Sequence, residues 1–369
     1  MPTPLQRTQA VLFCADFKHE AADFCVDEEL GFECSGSGEH VWVLIRKTGI
    51  NTVDAARRLA RAAGVDMRAV SWSGLKDKHG VCRQWISLQL PGKSTPDFAP
   101  VVSDELQIEQ VQRNHRKLRR GSHRSNRFVI RLRRFRGVDV RTGADLTAQL
   151  AQQIQRISAE GVPNYFGEQR FGSDNVNKVH DWFRQRYRPR SQLERGLLLS
   201  TARALIFNAV LSERVSNGNW NRYLDGDVLN LNGSASVFVP PVFDAEIERR
   251  LAQMDVHPTG PLWGRGDSRT HALTRLLEER VVAEHADLAD GLCRHAVDAA
   301  RRSLRLPVQA LHYRLLETGR LLETGRLPEP DCRPDHPADA AVDLELSFSL
   351  PAGSFATAVL HELIEYNTL

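Results

Sequence analysis

The sequence lacks the motifs on which metal-dependent and nucleotide-dependent enzymes rely. Its six cysteines include no CxxC pair, and none stands near a histidine at metal-ligand spacing. The GKS sequence at 92–94 resembles the end of a P-loop, but Ser87 stands where the first glycine is required, and no GxGxxG follows a predicted strand. The HE sequence at 361–362 has Glu365 where a zinc protease needs its second histidine. These absences argue against nucleotide hydrolysis, dinucleotide redox chemistry and zinc hydrolysis, so we expect neither a metal nor a cofactor.

Long apolar runs are also missing. No run of about 18 apolar residues is present, and the first residues lack the basic-then-apolar layout of a secretory signal. We therefore expect no membrane partner and a cytoplasmic protein with reduced thiols. With 41% hydrophobic and 26% charged residues, the composition is that of a globular protein of one or two domains.

Positive charge is concentrated in one place. The 49 lysines and arginines nearly balance the 46 acidic residues. However, residues 115–136, the basic segment, contain nine arginines, one lysine and no acidic residue, which leaves the rest of the chain at −7. Such a segment is typical of a protein that binds a polyanion, and nucleic acid is the first candidate. The alternative is a solvated arginine-rich face without a partner.

Apolar periodicity predicts strands and helices in alternation. The α/β (mixed α+β) fold class follows from this mixture. Alternating or β-branched runs predict strands over 41–46, 68–73, 81–90, 127–135 and 342–350. Helical spacing predicts helices over 52–64 (capped by Asn51), 146–160, 191–216, 270–304 and 355–366.

One acidic residue stands in a turn between two predicted strands. Asp77 lies between Gly74 and Gly80, with Lys76 and Lys78 beside it. Neighbouring cations favour the ionised carboxylate, which suits a nucleophile or a base at neutral pH. The alternative is a solvated turn aspartate, because aspartate is common in turns.

The sequence around Asp77 resembles the catalytic segment of the TruD family of tRNA pseudouridine synthases. The resemblance rests on SGLKDKH at 73–79, QW at 84–85 and PGK at 91–93. It recurs in the same order along almost the whole chain. The further motifs are ADF at 22–24 with Val26 and Glu28, GEH at 38–40 with Lys47, Gly49, Asn51 and Thr52, RKLR at 116–119, NRF at 126–128, GVPNYFGEQRFG at 161–172 and PAGSFAT at 351–357.

Three positions depart from the family pattern. Gly80 and Cys82 stand where we expect alanine and threonine, and Ser125 replaces the glycine before Asn126. The polar and aromatic groups of the motifs are kept. The LLETGR sequence at 315–320 is repeated at once at 321–326, and a proline-rich stretch follows; both are interpreted as extra linker length.

The resemblance implies an isomerase that converts uridine to pseudouridine within tRNA, at uridine 13, with no cofactor. Asp77 is the implied catalytic residue. Whether it attacks C1′ or C6, or acts first as a base, stays open. The base must leave the stack to be reached. We expect an aromatic platform and polar contacts for it at the matching family positions, which are Phe24, Phe128, Phe355, Asn126 and Lys18.

These assignments have plain alternatives. The three phenylalanines could be ordinary core residues, Asn126 a turn residue and Lys18, the expected ion-pair partner of Asp77, a surface lysine. Four cations of the basic segment are expected to contact RNA phosphates, and these are Arg116, Lys117, Arg119 and Arg120.

The resemblance also implies the domain organisation. We expect a catalytic domain formed by residues 1–160 and 307–369, an inserted α/β domain over 161–306, and a basic cleft between them. A monomer without an obligatory protein partner is expected. There are two alternative functions: a non-catalytic tRNA-binding or remodelling protein of the same fold, and an RNA-modifying enzyme of another chemistry, such as a methyltransferase, which would need a glycine-rich cofactor loop. The complete turn around Asp77 favours catalysis.

Overall fold

The computed structural model describes residues 5–137, 146–167, 170–172, 174–317, 320–321 and 342–368. Glu168 and Gln169 of the GVPNYFGEQRFG motif, most of the LLETGR repeat and the proline-rich stretch fall outside the described residues.

Helices and strands alternate along the chain, as the mixed fold class predicts. The α-helices of the described residues are α1 (Thr52–Ala62), α2 (Leu146–Glu160), α3 (Asn175–Phe183), α4 (Gln192–Ser216), α5 (Ala245–Ala252), α6 (Ala272–Ala283), α7 (Ala286–Arg294) and α8 (Ala356–Leu363). The strands are β1 (Phe13–Phe17), β2 (Phe24–Glu29), β3 (His40–Thr48), β4 (Val70–Trp72), β5 (Val81–Gln89), β6 (Leu106–Asn114), β7 (Ser125–Gly137), β8 (Val162–Pro163), β9 (Leu229–Leu231), β10 (Val237–Phe238), β11 (Val256–Leu262), β12 (Ala300–Ser303), β13 (Arg305–Leu306), β14 (Gln309–Glu317), β15 (Arg320–Leu321), β16 (Val342–Pro351) and β17 (Ile364–Thr368).

The chain divides into two compact units. The sheet unit comprises Leu12–Gln155, Val308–Gly353 and Ile364–Leu369. The helical unit comprises Met1–Val11, Arg156–Pro307 and Ser354–Leu363. The division by compactness therefore places the first residues and α8 with the middle of the chain. The catalytic role expected for 1–160 with 307–369, and the role of 161–306 as an insertion, stay predictions.

A mixed sheet of eleven strands forms the sheet unit. Its main order is β15-β14-β16-β7-β2-β5-β3-β6; β1 pairs with β7 and β17, and β4 pairs with β5. The pairs β2–β5 and β1–β17 are parallel, and the other pairs are antiparallel. This order brings β2, β5 and β7 side by side, so the loops and side chains of distant segments meet at these central strands.

Helix α1 covers part of the sheet. As predicted, Asn51 caps it: its side chain accepts a hydrogen bond from the backbone N–H of Asp54 at 2.8 Å. The buried residues Ala55, Ala56 and Leu59 of α1 share one apolar core with strands β3 and β5. Burial of this stripe fixes the start of α1 against the end of β3.

Helix α4 is the core of the helical unit. Its buried side chains join apolar clusters with α3, α6 and α7. By length and composition α4 is long and apolar enough to cross a membrane, the one helix of the described residues that is, but 67% of its most apolar window is buried inside the protein. Two smaller sheets, β10-β9-β11-β12 and β13-β8, complete the unit.

Two helix predictions extend too far. The helix expected over 270–304 is α6 followed by α7, and the chain then forms β12 against β11. Arg301 of β12 forms a buried ion pair with Glu278 at 2.6 Å, so tertiary contacts override the local helical preference. The helix expected over 355–366 is α8, and β17 then pairs with β1.

A buried ion pair ties α4 to the segment that follows it. Arg214 donates to Asp227 at 2.8 Å, and both side chains are almost fully buried. The same guanidinium donates to the carbonyls of Asn219 and Arg222, and Thr274 donates to Asp227. Every buried charge in this cluster is thus matched by a partner.

We predict that Asp227→Asn destabilises the helical unit by about 3–5 kcal/mol, because it leaves the buried Arg214 without its counter-ion. Hydrogen exchange of the α4 amides measures the loss. Glu246→Gln is the control: it breaks an exposed pair with Arg249 of 2.7 Å, which contributes little to stability because solvent and salt screen it. Equal protection of α4 in both variants would contradict the prediction.

Candidate active site

The loop that carries Asp77 joins β4 to β5 and is held by polar contacts on both sides. The backbone N–H of Lys76 donates to Thr52 Oγ1 at 2.9 Å, and Thr52 in turn donates to Gln84 at 2.9 Å. Thr52 begins α1, so the helix start and the Asp77 loop are fixed to one another. Both Thr52 and Gln84 are fully buried, and solvent does not compete for these hydrogen bonds.

A buried lysine supports the backbone of Asp77 itself. Lys47, on β3, is completely buried and donates to the carbonyl of Asp77 and, at 2.9 Å, to the carbonyl of Ile50. Burial lowers the pKa of Lys47 from its ordinary value. The sequence patterns single out Lys47 only as part of a motif, without a role for its side chain. Its position could have been inferred, because Lys47 has the parity of the buried residues Val43 and Ile45 on β3.

The side chain of Asp77 forms the ion pair expected from the sequence. Lys18 Nζ lies 2.7 Å from Asp77 Oδ2, and the two side chains are 22% and 17% exposed. The same ammonium lies 4.1 Å from the centre of the Phe24 ring, a cation–π distance. The backbone of Lys18 is in the left-handed region, with φ of 58°. This strained turn after β1 directs its side chain to Asp77.

Lys76 does not have the role expected for it. Its ammonium binds Glu28 Oε2 at 2.8 Å, and both side chains are almost fully buried. Glu28 also accepts the backbone N–H of Trp85 at 3.2 Å. Lys76 therefore anchors the loop to β2 and β5, and Lys18 supplies the cation beside the Asp77 carboxylate.

Gly80 is explained by the approach of Phe24. A Cβ atom at position 80 would lie 2.7 Å from the Phe24 carbonyl oxygen and 2.9 Å from its ring. Glycine lets β2 and the end of the Asp77 loop approach this closely. The departure from the family pattern at this position thus matches the local geometry.

Two of the three aromatic residues predicted as a platform, Phe24 and Phe128, lie on the neighbouring strands β2 and β7. The Phe24 and Phe128 rings are 6.1 Å apart, and Phe128 stacks on Phe348 at 5.4 Å. Phe24 and Phe128 are 5% and 6% exposed, so they also belong to the core, as the alternative interpretation expects. Phe348 was missed, because its alternation on β16 shows only a half-buried strand.

Asn126 belongs to a buried polar network. Its Nδ2 lies 3.0 Å from His123 Nε2, and His123 Nδ1 contacts the Ser73 hydroxyl. An amide nitrogen can only donate, so Nε2 accepts and Nδ1 carries the proton. Burial and the charge of Lys76 lower the pKa of His123 to about 4. The Oδ1 atom of Asn126 is buried and has no hydrogen-bond partner among the described residues.

The structure brings together the predicted site residues of the sheet unit. Lys18 contacts Asp77 and Phe24, Phe24 contacts Phe128, and Asn126 lies on the same face of β7 as Phe128. Phe355 belongs to the helical unit, where its half-buried ring lies 6.0 Å from that of Phe166.

The basic segment has two parts with different contacts: the first part is residues 116–120, and the second part is the run of arginines on β7. In the first part, Leu118 is buried against Trp42 and Trp85, and the indole N–H of Trp42 donates to the carbonyl of residue 116 at 2.9 Å. The predicted phosphate-binding residues are exposed and form no ion pair with the residues that the structure describes; they are Arg116, Lys117, Arg119 and Arg120. The backbone of this part is therefore held in place by buried contacts, while its cations are exposed and form no ion pair with the described residues.

The second part is structural. On β7, Arg131 pairs with Asp343 at 2.7 Å and Arg133 pairs with Asp23 at 2.8 Å. Arg134 pairs with Asp16. These three arginines are paired within the sheet unit, so the whole segment is not one electrostatic surface. Binding of phosphate by the first part stays a prediction.

Similarity to known proteins agrees with this arrangement. The family model for tRNA pseudouridine synthase D (TruD) matches residues 11–180 and 190–363. The tRNA pseudouridine synthase D of Pseudomonas fluorescens is 43% identical over 95% of this chain and 91% of that protein. Proteins of the same name are 44% identical in Ectopseudomonas mendocina, over 95% and 91%, and 43% identical in Nitrosococcus oceani, over 93% and 88%.

A solved structure shows the same fold. The crystal structure of a Methanosarcina mazei protein, described as a tRNA pseudouridine synthase D, matches with a TM-score of 0.68 over 97% of this chain and 95% of that one, at 19% identity. The class of protein is therefore a pseudouridine synthase, an isomerase with a mixed α/β fold. The chain belongs to the tRNA pseudouridine synthase D (TruD) family. The predictions of family, fold class and enzyme class are confirmed.

We predict that the buried His123 causes the free energy of unfolding to decrease as the pH is lowered. Its pKa is about 4 in the folded chain and about 6.5 when unfolded. Between these values the unfolded chain binds more protons, so stability decreases as the pH falls from 6.5 towards 4. At pH 5 the loss from this group reaches up to about 2 kcal/mol.

The comparison of wild type with His123→Gln isolates this effect, because other buried histidines titrate in both proteins. The free energy of unfolding of each protein is measured with urea at pH 7, 6 and 5. The difference between wild type and His123→Gln should decrease as the pH falls. A constant difference across the three pH values would show that His123 is not buried in its neutral form.

Proposed function

We propose that this protein converts uridine 13 of tRNA to pseudouridine and that Asp77 is its catalytic residue. The observation that supports this most directly is the Asp77 carboxylate, ion-paired with Lys18 at 2.7 Å in a loop supported from beneath by buried Lys47. Uridine 13 is the position implied by the resemblance to the bacterial members of the family.

The chemistry requires a positioned carboxylate. In the reaction the N1–C1′ bond breaks, the uracil turns while it is held, and a C5–C1′ bond forms. C5 then loses its proton and N1 gains one, so the product is an isomer of the substrate and no oxidant or reductant is needed. A carboxylate can attack C1′ or C6, or remove a proton first. In each case the ion pair with Lys18 limits the directions in which the Asp77 carboxylate can point.

The detached uracil needs a surface and a polar partner. The Phe24 ring beside Lys18 offers a stacking surface next to Asp77. The Oδ1 atom of Asn126 is a buried acceptor without a partner among the described residues, and uracil N3–H is a donor that would satisfy it. His123 holds the amide in the orientation in which Oδ1 is free. We propose that Lys18, Phe24, Phe128, Asn126 and Phe355 contact the substrate.

We predict that Asp77→Asn abolishes pseudouridine formation, while affinity for tRNA falls by less than about tenfold, equivalent to about 1.4 kcal/mol. The amide keeps the shape of the carboxylate but is not a nucleophile. Activity is measured on purified protein. The modified position is located by pseudouridine mapping of tRNA from cells in which the native gene is deleted and either the wild-type or the Asp77→Asn protein is expressed.

Asp104→Asn is the matched control, because Asp104 is an exposed aspartate of the sheet unit. Turnover by purified Asp77→Asn above a contamination control would refute the catalytic role. Modification that disappears at a tRNA position other than 13 would refute the site assignment alone.

The first part of the basic segment predicts that the affinity for tRNA depends on salt concentration. Each phosphate contact releases counter-ions, so log affinity falls linearly with log salt. Replacing Arg116, Lys117, Arg119 and Arg120 by alanine should weaken tRNA binding and flatten this slope by up to about 3–4 units. Turnover at saturating tRNA should survive, because these side chains perform no bond chemistry.

The control removes four charges of the sheet unit that are already paired with carboxylates, namely Arg46, Arg57, Arg58 and Arg83. Its salt slope should stay near that of the wild type. If the first quadruple variant keeps the wild-type slope and melts several degrees lower, those residues are structural. Cytoplasmic location and a monomeric state stay predictions.

A further inference from the structure

The helical unit contains an aromatic pocket that the proposed mechanism does not use. It has a volume of about 440 Å³ and is lined by residues of α3, the segment after it and the end of α7. The lining residues used below are Trp182, Phe183, Tyr187, Arg188, Arg294 and His295. Volumes of this size are typical of small-ligand sites.

Stacked rings form the floor of the aromatic pocket. Trp182 and His295 stack with ring centres 4.3 Å apart and planes inclined by 25°. Phe183 lies behind both, at 5.2 Å and 5.5 Å, and is buried against Gly291. Trp182, Tyr187 and His295 are only half-buried, so aromatic surface is left open to a ligand.

Arginines form the rim. The sequence from Trp182 to residue 190 contains four arginines and no acidic residue. Arg184 is occupied by Asp287 at 3.1 Å, but Arg188 is exposed and forms no ion pair with the residues that the structure describes. Arg294 is exposed and donates one hydrogen bond, to the Phe183 carbonyl at 2.9 Å. Two guanidinium groups therefore face an aromatic floor.

The electrostatics of the floor suit a planar ligand with an anionic group. Burial lowers the pKa of His295, and so do the charges of Arg195 and Arg294. The imidazole is thus neutral at pH 7 and acts as a stacking ring. The positive charge belongs to the rim, where an anion would be bound.

Part of the aromatic pocket lies outside the residues that the family model matches. The family match ends at residue 180 and resumes at 190. Most of the floor and half of the rim come from residues 182–188, which lie in that gap.

We propose that the aromatic pocket binds one unstacked nucleotide of the tRNA, with the base against Trp182 and the phosphate between Arg188 and Arg294. A base–aromatic stack contributes about 1–3 kcal/mol without regard to sequence, and arginine pairs well with phosphate. The identity of the ligand as tRNA rests on the proposed function. The pocket would add a contact to RNA outside the substrate uridine.

The test compares Arg188→Ala/Arg294→Ala with Arg222→Ala/Arg269→Ala. The control pair lies in the same unit and is also exposed; Arg222 forms no ion pair with the described residues, and Arg269 donates one hydrogen bond to a carbonyl. We expect the pocket variant to bind tRNA about three- to tenfold more weakly and to flatten the salt slope by about 1–2 units. Its kcat at saturating tRNA should stay within about twofold of the wild type. The control should bind like the wild type.

Ultraviolet cross-linking gives a second readout that is independent of activity. Wild-type protein irradiated with tRNA should give a nucleotide adduct in the peptide that contains Trp182 and Tyr187, and the pocket variant should give less of it. Equal affinity of the pocket and control variants together with no adduct in this peptide would overturn the proposal, including the case in which an acidic protein is the true occupant.

These experiments distinguish a failure of the proposed function from a failure of the pocket proposal. If the wild type makes no pseudouridine but the pocket variant still loses tRNA affinity and the adduct, the pocket stands and the proposed reaction does not. If the wild type is active and the two variants bind alike, the reaction stands and the pocket does not.

Discussion

The candidate site depends on one buried ammonium. Lys47 donates to the carbonyls of Asp77 and Ile50 from a completely buried position, and both carbonyls would lose a charged donor if it were removed. Ile50 lies just before the cap of α1, while Thr52 at the start of the same helix accepts the N–H of Lys76. One lysine and one threonine thus hold the Asp77 loop against α1, so the Asp77 carboxylate meets Lys18 at a fixed place.

The described charged side chains of this protein include cations that are paired within the fold and cations that are exposed. Arg131 and Arg133 of β7 are paired with acidic side chains of the sheet unit, and Arg214 is paired with Asp227 in the helical unit. The cations at 116–120 have no such partners among the described residues, and their backbone is anchored by buried Leu118. Removing one partner of a buried pair leaves the other charge unmatched, whereas the exposed cations at 116–120 are the ones for which we propose contacts to phosphate.

The fold is shared far more widely than the details of the surface. At 19% identity the Methanosarcina mazei structure still matches with a TM-score of 0.68, because apolar alternation and burial can be conserved while side chains change. Residues 181–189, by contrast, lie in a gap of the family match. That segment carries part of the aromatic pocket, for which we propose a contact to RNA.

The sequence by itself determined the mixed fold class, the Asn51 cap, the positions of the five strands β3, β4, β5, β7 and β16, and the catalytic candidate Asp77, since these depend on local periodicity, turn residues and contiguous motifs. It could not show that 295–304 leaves the helix, because a strand partner and a buried ion pair with Glu278 decide that. Nor could it show that Lys76 binds Glu28, that His123 holds Asn126, or which arginines are paired. Those are contacts between segments far apart in the chain, and only the tertiary structure brings them within hydrogen-bonding distance.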